Sequence, residues 1–199
     1  MVTITDQEQR RGDLLFAAAS EFAEKGYGAA NIDEIAIRAG LGKGTVYLYF
    51  KSKKELYLAV LQSVVAQFNV VAEQVLAMQA THLEKIQVVL ETFFSIDESA
   101  MPFIQIWVRH QFQNSPEFAD EVALIFADLQ QPLCEIVSNG VADGTFDVAE
   151  PSIVGYFILA LMVMLVPELQ ASYQMPILPK DRRVSFLLQV VGRILGIKG

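Results

Sequence analysis

Five basic side chains and no acidic one occur from residue 38 to residue 54: Arg38, Lys43, Lys51, Lys53 and Lys54. The whole chain has a formal net charge of −8, so this cluster opposes the background charge. Lysine and arginine neutralise phosphate oxygens, and a short helix with basic and aromatic side chains fits the major groove of DNA. The segment can therefore recognise nucleic acid. The alternative is an ordinary solvated face, but the glycines and tyrosines beside the lysines favour DNA.

The charge is unevenly distributed along the 199 residues. Residues 1–60 contain eight basic and eight acidic side chains, whereas residues 61–199 contain seven basic and fifteen acidic ones. Phosphate would repel the acidic part, so we expect any DNA contact in the first part. We predict a DNA-binding domain at residues 1–52 and a second domain at residues 53–199.

Residue types that support catalysis are scarce. The chain has two histidines, His82 and His110, and one cysteine, Cys134. Such a small number of histidines and cysteines argues against a metal cluster or a Cys–His nucleophile. The segment GLGKGT at 40–45 lacks the spacing and the preceding strand of a phosphate-binding loop. We therefore expect no enzyme, no metal site and no cofactor.

Three helices are predicted in the first part, of which the second and third are short. Apolar residues at helical spacing predict a helix over about 7–25, with Gly26 as its stop. Asn31 can cap a second helix, which Gly40 ends in a left-handed turn. The third helix is expected from Lys43 to Tyr49, with Val46 and Phe50 facing the core.

From about Arg10 to Leu58 the chain contains LLFAAASEFAEKGYGAANIDEIAIRAG and LGKGTVYLYFKSKKEL. This ordered combination resembles the DNA-binding domain of the TetR (tetracycline-repressor-like) family of transcriptional regulators. The resemblance implies a three-helix helix-turn-helix head, a larger helical ligand-binding body and a homodimer. It also implies contacts with the groove or the DNA backbone by seven residues: Asn31, Lys43, Gly44, Thr45, Tyr47, Tyr49 and Lys53.

Two residues depart from the family pattern. Asn31 stands where threonine is more common, and Gly42 stands where serine commonly caps the recognition helix. Glycine is a tolerable cap, so its cost is a few tenths of a kcal/mol. Gly42 and Gly44 flank Lys43, and we expect a loose helix start that DNA orders.

The second part is predicted to be all-α, because no segment alternates at period two. One helix is expected from about Lys53 to Gln79, since apolar residues recur every three or four positions without proline. Further helices are predicted near 82–96, 102–113, 117–139, 151–171 and 181–197. These helices are expected to form a larger bundle for ligand binding and dimerisation, in addition to the three-helix head.

The last helix has an apolar arc of about 200°, wider than one core requires. It is therefore either buried within a monomer, or paired with its copy in a second chain. A single short recognition helix gives little specificity for a DNA sequence. A twofold dimer presents two such helices about 34 Å apart, which is one turn of DNA. We predict a homodimer through the helices near 151–171 and 181–197, on a palindromic operator.

An effector site is predicted in the middle of the body, lined by Phe103, Trp107, His110 and Met162. The alternative is that these residues are plain core. A site lined by these residues would suit an apolar or aromatic compound with one polar group.

The uncharged run Ile153–Val166 is short for a membrane span, and the N-terminus lacks an apolar signal segment. Together with the single cysteine, this predicts a cytoplasmic protein without a membrane partner. We predict a ligand-responsive DNA-binding regulator, a repressor that its effector releases from the operator. The alternative function is a helical module that senses small molecules or proteins without DNA.

Overall fold

The computed structural model describes residues 4–95, 102, 104–106 and 118–197, and the regular structure in them is helical throughout. The helices are α1 Ile4–Ala29, α2 Ile32–Arg38, α3 Lys43–Tyr49, α4 Lys53–Ala77, α5 His82–Ser95, α6 Ala119–Ala142, α7 Pro151–Met164, α8 Pro167–Ser172 and α9 Lys180–Ile194. The all-α prediction is confirmed. The predicted helix near 102–113 lies mostly outside the described residues.

The chain forms two compact units. The first unit holds Met1–Ala66 with Asp97–Ile125, and the second holds Gln67–Ile96 with Phe126–Gly199. Helices α4 and α6 each begin in the first unit and continue into the second. A functional boundary between residues 52 and 53 stays a prediction.

The first three helices form as the sequence predicts. Asn31 caps α2, since its side-chain oxygen accepts from the backbone N–H of Asp33 at 2.9 Å. Gly40 has φ 65° and turns the chain after α2, in the left-handed region that glycine adopts at little cost. Gly26, with φ 74°, interrupts the helical geometry of α1 where the sequence predicts a stop. The buried faces of these helices meet in one small core around Phe22: Leu14, Ala18, Ile32, Ile35, Ala36, Val46 and Phe50.

The predicted single helix near 151–171 is wrong as one element. Helix α7 ends at Met164, and α8 begins at Pro167. Proline has no backbone N–H to continue a helix, and its ring pushes the preceding residue into extended conformation. Val166 accordingly has φ −68° and ψ 127°.

Close contacts fix the second unit. A Cβ on Gly155 of α7 would lie 2.7 Å from the backbone of Cys134 in α6, so glycine allows these helices to approach. His82, at the start of α5, bonds through Nε2 to Asp143 after α6 at 2.7 Å. Hydrogen bonds from Thr145, followed by the one from His82, lower the pKa of Asp143 to about 2.

Helix α4 is long and apolar enough to cross a membrane by length and composition alone. The core helix of a folded protein meets the same criterion, and Leu56, Val60 and Leu61 of α4 are buried in the first unit.

A carboxylate inside the first unit joins α1 to α2. The Glu21 side chain is 0% exposed and accepts the backbone N–H of Asn31 at 3.3 Å. The Lys25 ammonium lies 2.8 Å from its Oε1, and Arg38 Nε lies 3.4 Å from its Oε2. Arg38 also binds Glu24 through two hydrogen bonds, at 2.8 and 2.6 Å. Glu21 therefore holds the beginning and the end of α2 against α1.

We expect Glu21→Gln to lower the free energy of unfolding by about 2 to 3 kcal/mol, measured by urea denaturation, because hydrogen bonds to a charged group are lost in a buried site. Glu24→Gln is the matched control. Glu24 also binds Arg38 but is 54% exposed, so its loss should have little effect. Equal effects of the two substitutions would contradict a special role for Glu21.

Candidate DNA-binding interface

Helix α3 turns one face to the core and the other to solvent. Val46 is buried, and so is Phe50, the residue directly after α3. Of the predicted DNA-binding residues, Lys43, Gly44 and Tyr47 are exposed, and Thr45 and Tyr49 are half-buried. The prediction that Val46 and Phe50 face the core is therefore confirmed. The opposite side of α3 is open to a ligand.

The start of α3 has no side-chain cap. Gly42 occupies the N-cap position in extended conformation, as predicted, and only backbone bonds close the first turn. A Cβ on Gly44 would meet nothing within 4 Å, so no packing within the protein requires a glycine there. The missing side chain leaves backbone uncovered at the outer face of the helix.

Lys43 has a partner that sequence reasoning missed. Its Nζ lies 2.9 and 3.0 Å from the two carboxylate oxygens of Asp33 on α2. The hydrogen bond to Asp33 raises the pKa of Lys43, because Asp33 accepts from the protonated ammonium. Both side chains are exposed, and an exposed ion pair contributes little to stability, so a phosphate can replace Asp33 at small cost.

Lys53 and Asn31 both lie beside the turn that joins α1 to α2. Lys53 Nζ donates to the carbonyl of Gly28 at 3.1 Å and lies 4.8 Å from the ring centroid of Tyr27. Asn31 follows three residues after Gly28 in the turn before α2. The structure thus places both predicted backbone-contacting residues at the α1–α2 turn.

The start of α4 has its own cap. The Ser52 hydroxyl accepts the N–H of Glu55 at 3.1 Å, while the Glu55 carboxylate accepts the N–H of Lys51 at 2.8 Å. The spacing Ser-x-x-Glu is that of a capping box and could have been read from the sequence, although Glu55 bonds the N–H of Lys51 instead of that of Ser52. The two bonds satisfy backbone N–H groups at the start of α4.

Three of the five clustered basic residues are paired with acids from elsewhere in the first unit. Arg38 binds Glu24, Lys43 binds Asp33, and Lys54 Nζ lies 2.5 Å from Glu121 of α6. The basic cluster is therefore less positive in three dimensions than in sequence. Of the acids that sequence reasoning missed, Glu21 left a signal, since it lies on the apolar stripe of α1 with Leu14, Ala18 and Phe22.

The predicted effector site falls largely outside the described residues, because Phe103, Trp107 and His110 are not among them. Met162 is described and is buried in the second unit, as a core residue would also be. Within the described ranges, no three His, Cys, Asp or Glu side chains are grouped to hold a metal ion.

Residues 14–60 match the family model of bacterial regulatory proteins of the tetR family. The transcriptional activator FasR of Mycolicibacterium smegmatis is 33% identical over 133 residues, which are 67% of this chain and 61% of FasR. The transcriptional repressor KstR2 of Rhodococcus jostii is 30% identical over 142 residues, 69% of this chain and 68% of KstR2. The chain thus spans less than two thirds of FasR and slightly more than two thirds of KstR2.

The fold also matches solved structures. FadR from Bacillus subtilis, solved in complex with stearoyl-CoA, aligns over 94% of this chain and 99% of its own, with a TM-score of 0.77 and 21% identity. The named relatives are transcriptional regulators, so the predictions of a regulator and of no enzyme are confirmed. The chain belongs to the tetR family of bacterial regulatory proteins, which regulate transcription by binding DNA.

Proposed function

We propose that this protein is a homodimeric repressor that binds a palindromic operator through α3 and is released by a fatty acyl-CoA. The observation that carries the DNA-binding part is the outer face of α3. Its core side is fixed by buried Val46 and Phe50, and its outer side presents Lys43, Gly44 and Tyr47 to solvent. A cytoplasmic location follows from this function.

The predicted contacts divide into two kinds. Lys43 and Tyr47 project from α3 and can reach bases or the flanking phosphates, whereas Lys53 and Asn31 lie at the α1–α2 turn and suit phosphate alone. Contacts with phosphate affect all sequences equally and determine the salt dependence of binding. The two kinds can therefore be separated by experiment.

We expect Lys53→Gln to reduce the slope of log affinity against log salt concentration by about 0.9 for each head, because one phosphate contact is lost. Glutamine keeps a donor for the Gly28 carbonyl.

Lys43→Ala and Tyr47→Ala should weaken binding to the DNA flanking the protein's own gene, measured by gel shift. Lys180→Ala in α9 removes the same charge from the second unit and should change nothing. Wild-type protein that leaves this DNA unshifted at low salt would contradict the proposed DNA binding.

The dimer is proposed from an apolar surface on the second unit. Helices α7 and α9 pack against each other, and each leaves large apolar side chains exposed. These are Ile153, Tyr156 and Phe157 on α7, with Phe186 and Ile194 on α9. Several such residues on two adjacent helices are typical of a subunit interface, and a twofold axis would bring the same surface of a second chain against them.

We expect Phe157→Glu to weaken dimerisation by on the order of a hundredfold, because each chain would bury an unpaired charge. Light scattering after gel filtration measures the mass directly. Phe157 is 53% exposed in the single chain, so the substitution should leave the fold intact by circular dichroism. Leu124→Glu, at a position more exposed still and in the first unit, is the control. A Phe157→Glu protein that stays dimeric would rule out this interface.

The route from effector to DNA is proposed through α4 and α6, which both extend from the first unit into the second. Their first turns are joined by the Lys54–Glu121 pair. Phe118, which precedes α6, contacts Tyr27 edge to face at 4.6 Å between centroids, and Lys54 Nζ lies 5.1 Å from its ring centroid. A ligand that moved either helix would therefore move the head, provided that it bound one state more tightly.

The effector class is proposed from the neighbour of known ligand. FadR has the same fold along nearly its whole length and was solved with stearoyl-CoA. An acyl chain also meets the expectation of an apolar effector with a polar group. Met162, buried on α7, is the described residue that we propose for the wall of its site.

We expect stearoyl-CoA to raise the melting temperature and to release the DNA in a gel shift. At a hundred times its Kd, a ligand that binds only the folded state adds about 2.7 kcal/mol to stability. Coenzyme A alone should do neither, because it lacks the acyl chain. No effect of stearoyl-CoA on either measurement would refute this effector class, and the proposed DNA binding would still stand.

A further inference from the structure

Leu48 is the most exposed large apolar side chain among the described residues, at 85%. It lies on α3, where Tyr47 is 45% exposed, Tyr49 is half-buried, and the other residues are polar, glycine or buried. An exposed leucine on its own is common on protein surfaces. Its position on this helix gives it significance.

The buried residues of α3 determine where Leu48 points. Successive residues of an α-helix are about 100° apart, so Leu48 lies about 160° from Val46, nearly on the opposite side of the helix. Val46 is buried, and so is Phe50, the residue that follows the end of α3. Leu48 therefore occupies the centre of the outer face. Gly44, one turn earlier, and Thr45 lie on either side of this direction, whereas Lys43 and Tyr47 are exposed on one flank of the same helix.

The centre of this face has little hydrogen-bonding capacity. Guanine and adenine are read by bidentate pairs from arginine, lysine, asparagine or glutamine. Gly44 and Leu48 offer no side-chain donor or acceptor, and Thr45 offers one hydroxyl. The feature of the major groove that an isobutyl side chain can contact is the C5-methyl group of thymine. The missing side chain at Gly44, where a Cβ would meet nothing, allows the base edges to come closer.

We propose that Leu48 is a specificity-determining residue that reads a thymine methyl group in each operator half-site. The inference rests on the proposed DNA binding through α3 and adds the base that is read. A protein partner fits this surface less well, because a single leucine between glycine and threonine is far smaller than the apolar patches that bind proteins.

The test uses full-length protein and thymine-to-uracil substitution, which removes only the methyl group. A duplex is first selected from a random-sequence library by wild-type protein. Each thymine of the selected half-site is then replaced by uracil, symmetrically in both half-sites. Burying one carbon contributes a factor of about four, so we expect the affinity to fall about fourfold per half-site at one or two positions.

Leu48→Ala identifies the reading side chain. We expect it to bind the thymine duplex more weakly than wild type and to bind the thymine and uracil duplexes equally. Leu124→Ala, at a leucine of 72% exposure on α6, is the matched control and should keep the full difference between the duplexes. Because Leu48 is exposed, its removal should leave the melting temperature unchanged.

Each other outcome overturns the assignment. Wild-type protein that binds every uracil duplex as well as the thymine duplex reads no methyl group, a result that needs no variant. An equal loss in wild type and Leu48→Ala assigns the methyl contact to another residue. Unchanged affinity of Leu48→Ala for the thymine duplex places Leu48 outside the groove. A selection that enriches no duplex refutes the proposed DNA binding itself.

Discussion

The buried Glu21 carboxylate is the interaction on which the DNA-binding head depends. A charge without access to water is costly unless it is paired and hydrogen-bonded, and Glu21 takes both kinds of partner from the ends of α2. Asn31 precedes that helix and Arg38 ends it, so one carboxylate ties both ends of the helix to α1. Its Oε2 is buried without a hydrogen bond and has the ion pair with Arg38 at 3.4 Å. Since α2 carries Asp33 and packs against α3, the placement of α3 follows from the same constraint.

Acidic residues from other helices neutralise part of the positive charge of the basic cluster. In sequence the segment contains only positive charge, yet Glu24, Asp33 and Glu121 pair with three of its members. These pairs are exposed and weak, so phosphate can displace Asp33 from Lys43 without much loss of stability. The lysines would then contribute affinity and orientation, while the choice of sequence would depend on the uncharged residues of α3.

Helices α4 and α6 give the head and the second unit a shared covalent framework. Each helix has its first turns in one unit and its remainder in the other. The capping box of Ser52 and Glu55 fixes the start of α4, and the Lys54–Glu121 pair joins it to the start of α6. The proposed route from effector to DNA runs along these two helices.

Local sequence patterns determined most of the head and the all-α class. Glycine at residues 26 and 40, the Asn31 cap and the apolar spacing each act within a few residues, so the bounds of α2 and α3 could be predicted without the fold. The break at Pro167 is also local and was missed because the apolar pattern continues through it. Only the tertiary structure decided which acids pair with the basic residues and which groups surround the buried Glu21 carboxylate. Glu21 and Arg38 are seventeen positions apart, and Lys54 and Glu121 are sixty-seven apart. Pairing at such separations depends on how helices pack, which no local pattern specifies. By contrast, the sequence alone predicted that Val46 and Phe50 face the core, and their burial agrees with an outward direction for Leu48.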